Sequence, residues 1–278
     1  MNRSNLPGNA CVLIAIFSLL CCLHAQATIT VLHDWRLGES DPANAADAAL
    51  TTQDYIGGTP LVFQGNSSYS SDVGFAAAAR VGSLLSANFT NNAFATNSII
   101  STLTNNFGME AWVKPQSSAD AFILYNGKTS SSGWGFTIAS NAGLQRYGVQ
   151  YGGVDVFGAY PATNNAWAHL AMVCSNGIST FYVNGSLIAT RPVFPNTPTG
   201  NFGLACAPEA PGTQSFTGLI DEVRVFTFSP NNFNVSDLLL NAPIEKVDLL
   251  PATQITASNS VLRSAVNPGG VATAGWFE

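Results

Sequence analysis

Charge is what this chain has least of. Asp, Glu, Lys and Arg make up 9% of its 278 residues, against 46% apolar residues, where an ordinary domain carries roughly 25% charged residues. Ten basic residues face sixteen acidic ones, net charge is −6, and no Lys/Arg cluster occurs. Nucleic acid is therefore not expected as a partner, because a polyanion is held by clustered cations that displace its counterions. The high apolar content argues against disorder. With so little charge, the polar surface must come from Asn, Thr, Ser and Gly, a composition suited to neutral ligands or other proteins.

Long apolar runs are also scarce. The one clear run, Cys11 to Leu23, follows Arg3 and is followed by Ala25-Gln26-Ala27. It falls short of the roughly 18 residues a membrane span needs. This is the pattern of a secretory signal peptide cleaved after Ala27, so the mature chain is expected to be secreted or at the cell surface, with no membrane span. Cysteine is nearly exhausted by that segment, leaving Cys174 and Cys206. In an oxidising compartment the two either bridge or fill the core as free thiols.

What remains is strand after strand. Short runs rich in β-branched and aromatic residues alternate with Gly, Asn, Ser and Pro, and no long amphipathic helix pattern appears. Gly152-Gly153, Asn176-Gly177 and Asn184-Gly185 mark hairpins with two-residue turns. Such a turn sets register. Around Asn176-Gly177 it pairs Cys174 with Ser179, Met172 with Phe181 and Leu170 with Val183. Around Gly152-Gly153 it pairs Tyr151 with Val154 and Gln150 with Asp155. Tyr147, Val149, Tyr151, Val154 and Val156 then share an apolar face, and Arg146, Gln150, Asp155 and Phe157 share the other. Phe233 to Leu240 is the one short helix expected, capped by Asn234 or Ser236.

Three segments in order resemble the laminin G-like domains of bacterial exported proteins: Phe107 to Pro115 (FGMEAWVKP); Trp167 to Val173 (WAHLAMV) with Phe181-Tyr182-Val183-Asn184-Gly185; and Phe216 to Phe226 (FTGLIDEVRVF). Trp35 to Glu39 (WRLGE) is similar to the family's first strand. The resemblance covers residues 28–243 and implies an all-β fold, a two-sheet antiparallel jelly-roll sandwich of the concanavalin A-like kind. Residues 244–250 read as a linker. Residues 251–278 resemble the opening strands of a fibronectin type III-like repeat, so a longer modular adhesion or surface protein is expected.

Catalytic signals are missing. A glucanase of this fold needs two carboxylates around one glycosidic bond, and no Glu-x-Asp-x-x-Glu spacing occurs. Asp221 and Glu222 are adjacent, which on a regular strand sends them to opposite faces. The two histidines past the leader, His33 and His169, fall at strand positions. No nucleophile elbow, Walker loop or metal-binding His/Cys cluster is present. Asp221 alternates with Leu219, Val223 and Val225, so its carboxylate needs a partner. Related folds place a structural Ca2+ at such a position, which implies ligands from Asp221 with Asp34, Glu39 and Asp41 near the first strand. Backbone amides, Arg36 or Arg224 would serve equally. Trp112, Trp134 and Trp167 suit core positions or sugar platforms.

The expected function is non-catalytic extracellular recognition of a glycan or an extracellular protein, through Arg146, Gln150, Asp155 and Phe157. Service as the accessory domain of a carbohydrate-active enzyme is the alternative.

Overall fold

The computed structural model describes residues 29–38, 41, 51–74, 77 and 82–240, and the backbone of two strands at 246–253 and 261–267. The segment read as a signal peptide, Glu39 and residues 268–278 lie outside the described residues.

Two eight-stranded antiparallel sheets carry the chain, as a jelly-roll sandwich requires. The first sheet runs, in spatial order, β14 (Ser186–Arg191), β13 (Ile178–Val183), β12 (Ala168–Ser175), β7 (Phe107–Pro115), β16 (Gly218–Phe228), β5 (Ser86–Phe89) and β4 (Ser68–Ser70), with β1 (Ile29–Trp35) also paired to β16. The second runs β11 (Asp155–Pro161), β10 (Leu144–Tyr151), β9 (Ser132–Asn141), β8 (Ala121–Lys128), β15 (Asn201–Leu204), β6 (Phe94–Ser98), β3 (Leu61–Gln64) and β2 (Thr51–Thr52). A separate hairpin pairs β17 (Lys246–Thr253) with β18 (Val261–Asn267). Its first strand begins inside the segment read as a linker.

The period of two decides which side chains meet between the sheets. On β7, Phe107, Met109, Ala111 and Val113 join the central core, whereas Glu110 and Trp112 face outward. Trp35, Phe89, Trp134, Phe136, Phe181 and Phe202 fill the same core and are fully buried. The outer face of the first sheet is covered as well. Phe226, Phe228 and Val173 pack there against Leu238 and Phe233 of the segment after β16. That segment contains a short helical turn, Val235–Asp237, and Asn234 caps it by accepting from the Ser236 N–H at 2.9 Å.

The Asn176-Gly177 and Asn184-Gly185 hairpins have the register their turns dictate, with Val183 paired to Ser186 across the second. Asn176 and Gly177 both take positive φ, 51° and 74°, and Cys174 pairs with Ser179, Met172 with Phe181 and Leu170 with Val183. This is the left-handed geometry that two-residue Asn-Gly turns require.

The Gly152-Gly153 hairpin differs by one residue. Tyr151 pairs with Asp155, Gln150 with Val156 and Val149 with Phe157. The cause lies in Gly152. Its N–H donates to the Tyr125 hydroxyl at 2.8 Å, and a Cβ there would lie 2.3 Å from the Lys128 carbonyl oxygen, so it is fixed against β8 and β9. The turn moves on to include Val154. Phe157 consequently points inward, 3% exposed and edge-on to Tyr151, while Val154 and Val156 face solvent. A one-residue slip turns over a whole strand.

A β-bulge makes the second correction. Asp221 pairs with Trp112 and Arg224 with Glu110, so Glu222 and Val223 together oppose Ala111. Glu222 takes φ 49°. The alternation therefore shifts. Ile220, Val223 and Val225 point into the core, and Asp221 lies on the outer face with Leu219 rather than with Val223 and Val225. Both Asp221 and Glu222 are buried. Cys174 and Cys206 are buried free thiols, so the bridge alternative is not realised. Burial pushes both thiols up, Cys206 to about 12.

Candidate binding groove on the outer face of the second sheet

β9, β10 and β11 lie side by side at one margin of the second sheet. Between them runs an outward-facing groove of about 220 Å³, lined among others by Thr137, Ala139, Arg146, Gly148, Val156 and Gly158. Register explains its depth. Arg146 pairs with Ala139 and Gly148 with Thr137. A Cβ at Gly158, where φ is 124°, would fall 2.8 Å from the Gly148 Cα. The absent side chain of Gly148 thus leaves the groove open beside Thr137, whereas a Cβ on Gly158 would also come 3.1 Å from the buried Phe181 ring, on the core side.

Thr137 is 4% exposed, and its hydroxyl has no hydrogen-bond partner. A Cβ built on Gly148 would come 3.5 Å from that hydroxyl, which places it at the groove floor. Arg146 Nη1 donates to the Ala159 carbonyl at 2.6 Å, tying the guanidinium to β11 at the rim. The exposed ring expected of Phe157 is absent, because Phe157 reaches the groove from below as a core residue. Gln150 lies one row further along the strand and donates Nε2 to the Thr129 carbonyl at 2.6 Å. Asp155 accepts from the Val156 N–H at 2.8 Å and stands 3.9 Å from Arg191 Nε. Of the four expected residues, Arg146 and Phe157 line the groove, and Gln150 and Asp155 are engaged elsewhere. Thr137, Gly148 and Gly158 carried no signal in the sequence, since each takes its meaning from the neighbouring strand.

The acids expected around Ca2+ take separate partners. Asp221 Oδ2 accepts from the Ser83 hydroxyl at 2.8 Å. Asp34 pairs in register with Arg224, three residues from Asp221, and its carboxylate is 3.7 Å from Arg36 Nε. Burial raises its pKa despite that arginine. Asp41 accepts from the Tyr69 hydroxyl at 2.9 Å and the Gln53 N–H at 2.8 Å. Among the described residues no three acids, histidines or cysteines converge as a metal site. Asp34, Asp41 and Asp221 thus form no three-acid cluster, and Glu39, the remaining acid of the expected set, lies outside the described residues.

Both histidines serve buried carboxylates. His33 Nδ1 lies 2.6 Å from Asp54 Oδ2, and Asp54 also accepts from the N–H groups of Asp34, Gly57 and Thr59. Burial would raise Asp54, but these bonds outweigh it and hold it at about 2. Glu110 is fully buried on the outer face of the first sheet. It receives His169 Nε2 at 2.8 Å, Arg224 Nε at 2.7 Å and the Leu239 N–H at 2.8 Å. Burial again pushes the acid up, and Arg224 and His169 override it, leaving about 2. Arg224 also donates to the Asp237 carbonyl at 2.8 Å. This network fastens the covering segment to the sheet. The sequence singled out His169 and Arg224 but not Glu110, which joins them.

Several known proteins share this architecture. The fourth domain of AbnA, an extracellular arabinanase from Geobacillus stearothermophilus solved with arabinotriose, superposes with a TM-score of 0.56 at 17% identity, over 77% of this chain and all of that one. Trypanosoma rangeli sialidase, solved with sialic acid, superposes at 0.52 and 12% identity, over 77% of this chain and 34% of that one. At such identities the likeness is one of fold. Adhesion G-protein coupled receptor V1 of Danio rerio is 23% identical over 159 residues, which span 51% of this chain and 2% of the receptor. A laminin G-like family model, described as concanavalin A-like lectin/glucanases superfamily, matches residues 88–232. With its two antiparallel sheets and this match over half its length, the chain belongs to the concanavalin A-like lectin/glucanases superfamily as a laminin G-like domain.

Proposed function

We propose that this chain is an extracellular, non-catalytic recognition module that binds carbohydrate in the groove between β9, β10 and β11. One observation carries the reading: the buried, unpartnered Thr137 hydroxyl at the floor of a glycine-lined groove rimmed by Arg146. A buried hydroxyl without a partner is unfavourable by about 1–3 kcal/mol, and a sugar hydroxyl bound beside it would remove that penalty. Pockets of this kind combine apolar walls with a few placed polar groups. Val156, Phe157 and the glycines supply the apolar part.

The extracellular setting is supported by the leader pattern and by the relative that is named an adhesion receptor. An accessory role beside a carbohydrate-active domain is the second reading. It is favoured by the fold neighbours, which are an arabinanase domain and a sialidase. The tail, read as the start of a fibronectin type III-like repeat, suits either role in a modular surface protein. The test is a glycan array probed with the full chain and with Thr137→Val and Arg146→Ala. Both variants are expected to lose the glycans that the native chain retains. Unchanged retention by both would rule out the groove.

A further inference from the structure

A second opening lies where the two sheets meet at one end of the sandwich. It is a cleft of about 160 Å³ whose walls include Tyr147, Tyr160, Pro161, Ala166, Trp167 and Asn184. Tyr147 on β10 pairs in register with Tyr160 on β11, while Trp167 directly precedes β12. Tyr147 is 1% exposed, and its hydroxyl has no hydrogen-bond partner. A buried hydroxyl that the fold leaves unsatisfied is a position where a guest can gain a bond without breaking one.

The other walls are fixed in advance. Trp167 donates its indole N–H to Asp72 Oδ1 at 2.8 Å, and Lys114 Nζ holds the other carboxylate oxygen at 2.5 Å. The indole is therefore tethered from outside the cleft, leaving its ring as a preset apolar wall. Asn184 occupies the left-handed position of its turn, with φ 49°, and its Oδ1 accepts from the His169 N–H at 2.9 Å. That bond fixes the amide and leaves Nδ2 as a donor beside the cleft.

We propose that this seam cleft is a second binding site, which takes one neutral sugar ring end-on. The absence of any Asp, Glu, Lys, Arg or His from its lining selects against charged ligands. Its volume lies below the roughly 300–1,000 Å³ of pockets that hold drug-sized molecules, so it admits a single ring rather than a chain segment. Aromatic side chains offer faces to the C–H surface of a sugar, and the Tyr147 hydroxyl and Asn184 amide address its hydroxyls. The seam shares Tyr147 with the groove, but none of Thr137, Arg146, Gly148 or Gly158. The groove would hold a chain along the sheet face, whereas the seam would read a terminal residue.

Saturation-transfer NMR on the full chain tests this, with methyl glycosides of glucose, galactose, xylose and arabinofuranose as probes. At least one is expected to receive transfer from the native chain. Tyr147→Phe, which removes only the hydroxyl, should weaken its binding about three- to tenfold, the effect of one lost neutral hydrogen bond. The melting temperature of that variant should hold or rise, since no protein partner is lost. Ala166→Trp, placed at an exposed lining position, should abolish transfer by filling the cleft. The seam variants are compared in an Arg146→Ala background, in which the groove is disabled, so that the transfer read comes from the seam. No transfer to any glycoside, or transfer that survives both seam variants, would overturn the proposal. So would a destabilised Tyr147→Phe with unchanged sugar binding, because the hydroxyl would then be serving a buried water.

Discussion

Replacing Glu110 by Gln should destabilise the domain in a way that fades with acid. The native carboxylate is fully buried, between Arg224 and His169. Its pKa falls from an ordinary 4.5 to about 2, because the Arg224 guanidinium and the hydrogen bonds from His169 and the Leu239 N–H outweigh the burial that raises it. At about 1.4 kcal/mol per pH unit, that lowering corresponds to on the order of 3 kcal/mol of stability at neutral pH. A depressed carboxylate contributes fully above its unfolded pKa and loses the contribution as pH falls through the folded value. The window is therefore pH 4.5 down to about 2. Gln mimics the protonated acid, so the gap between native and variant should be about 3 kcal/mol at pH 7 and only about 1.4 kcal/mol at pH 3. Urea unfolding at both pH values reads it directly. At neutral pH the gap amounts to a melting temperature lower by roughly 6–12 °C for a domain of this size. A gap below about 1 kcal/mol at pH 7, or one that stays constant to pH 3, would refute the network as the clamp on the covering segment.

Three further outcomes follow from side-chain placement. Phe157→Ala should destabilise by about 3–5 kcal/mol through a core cavity, whereas Arg146→Ala should change stability by less than about 0.5 kcal/mol; equal effects in chemical unfolding would contradict the one-residue shift of that hairpin. Cys174 and Cys206 should resist iodoacetamide at pH 8 in the folded chain and react after unfolding, as buried thiols with raised pKa do. An unreduced mass two hydrogens short would show a bridge instead. EDTA should leave the melting temperature unchanged, since Asp34, Asp41 and Asp221 have partners within the protein. A fall of several degrees would mean that further acids, Glu39 among them, complete a metal site.

The sandwich was legible because its signals are local. Asn176-Gly177 demands left-handed φ at both residues, and the register of β12 and β13 follows from that alone. The Gly152-Gly153 pair looks equivalent in sequence. Its register depends instead on the Tyr125 hydroxyl and the Lys128 carbonyl, which belong to a strand more than twenty residues earlier. The bulge at Glu222 and Val223 is hidden for the same reason, as nothing local marks the residue that slips. Thus Asp221 was placed on the wrong face and Phe157 in solvent. The groove was half legible: Arg146 follows from strand alternation, but Thr137, Gly148 and Gly158 form a floor only once three strands are aligned. The buried clamp was harder still, because Glu110 sits between two apolar residues in a strand that otherwise reads as core.

The central claim is that the glycine-floored groove recognises carbohydrate through Thr137 and Arg146. The most direct measurement is the glycan array, comparing the native chain with Thr137→Val, whose side chain keeps its shape and loses only the hydroxyl. Retention of one glycan class by the native chain, lost in Thr137→Val while the melting temperature holds, is the predicted result. Equal retention by both proteins, or no glycan retained by the native chain, would contradict it.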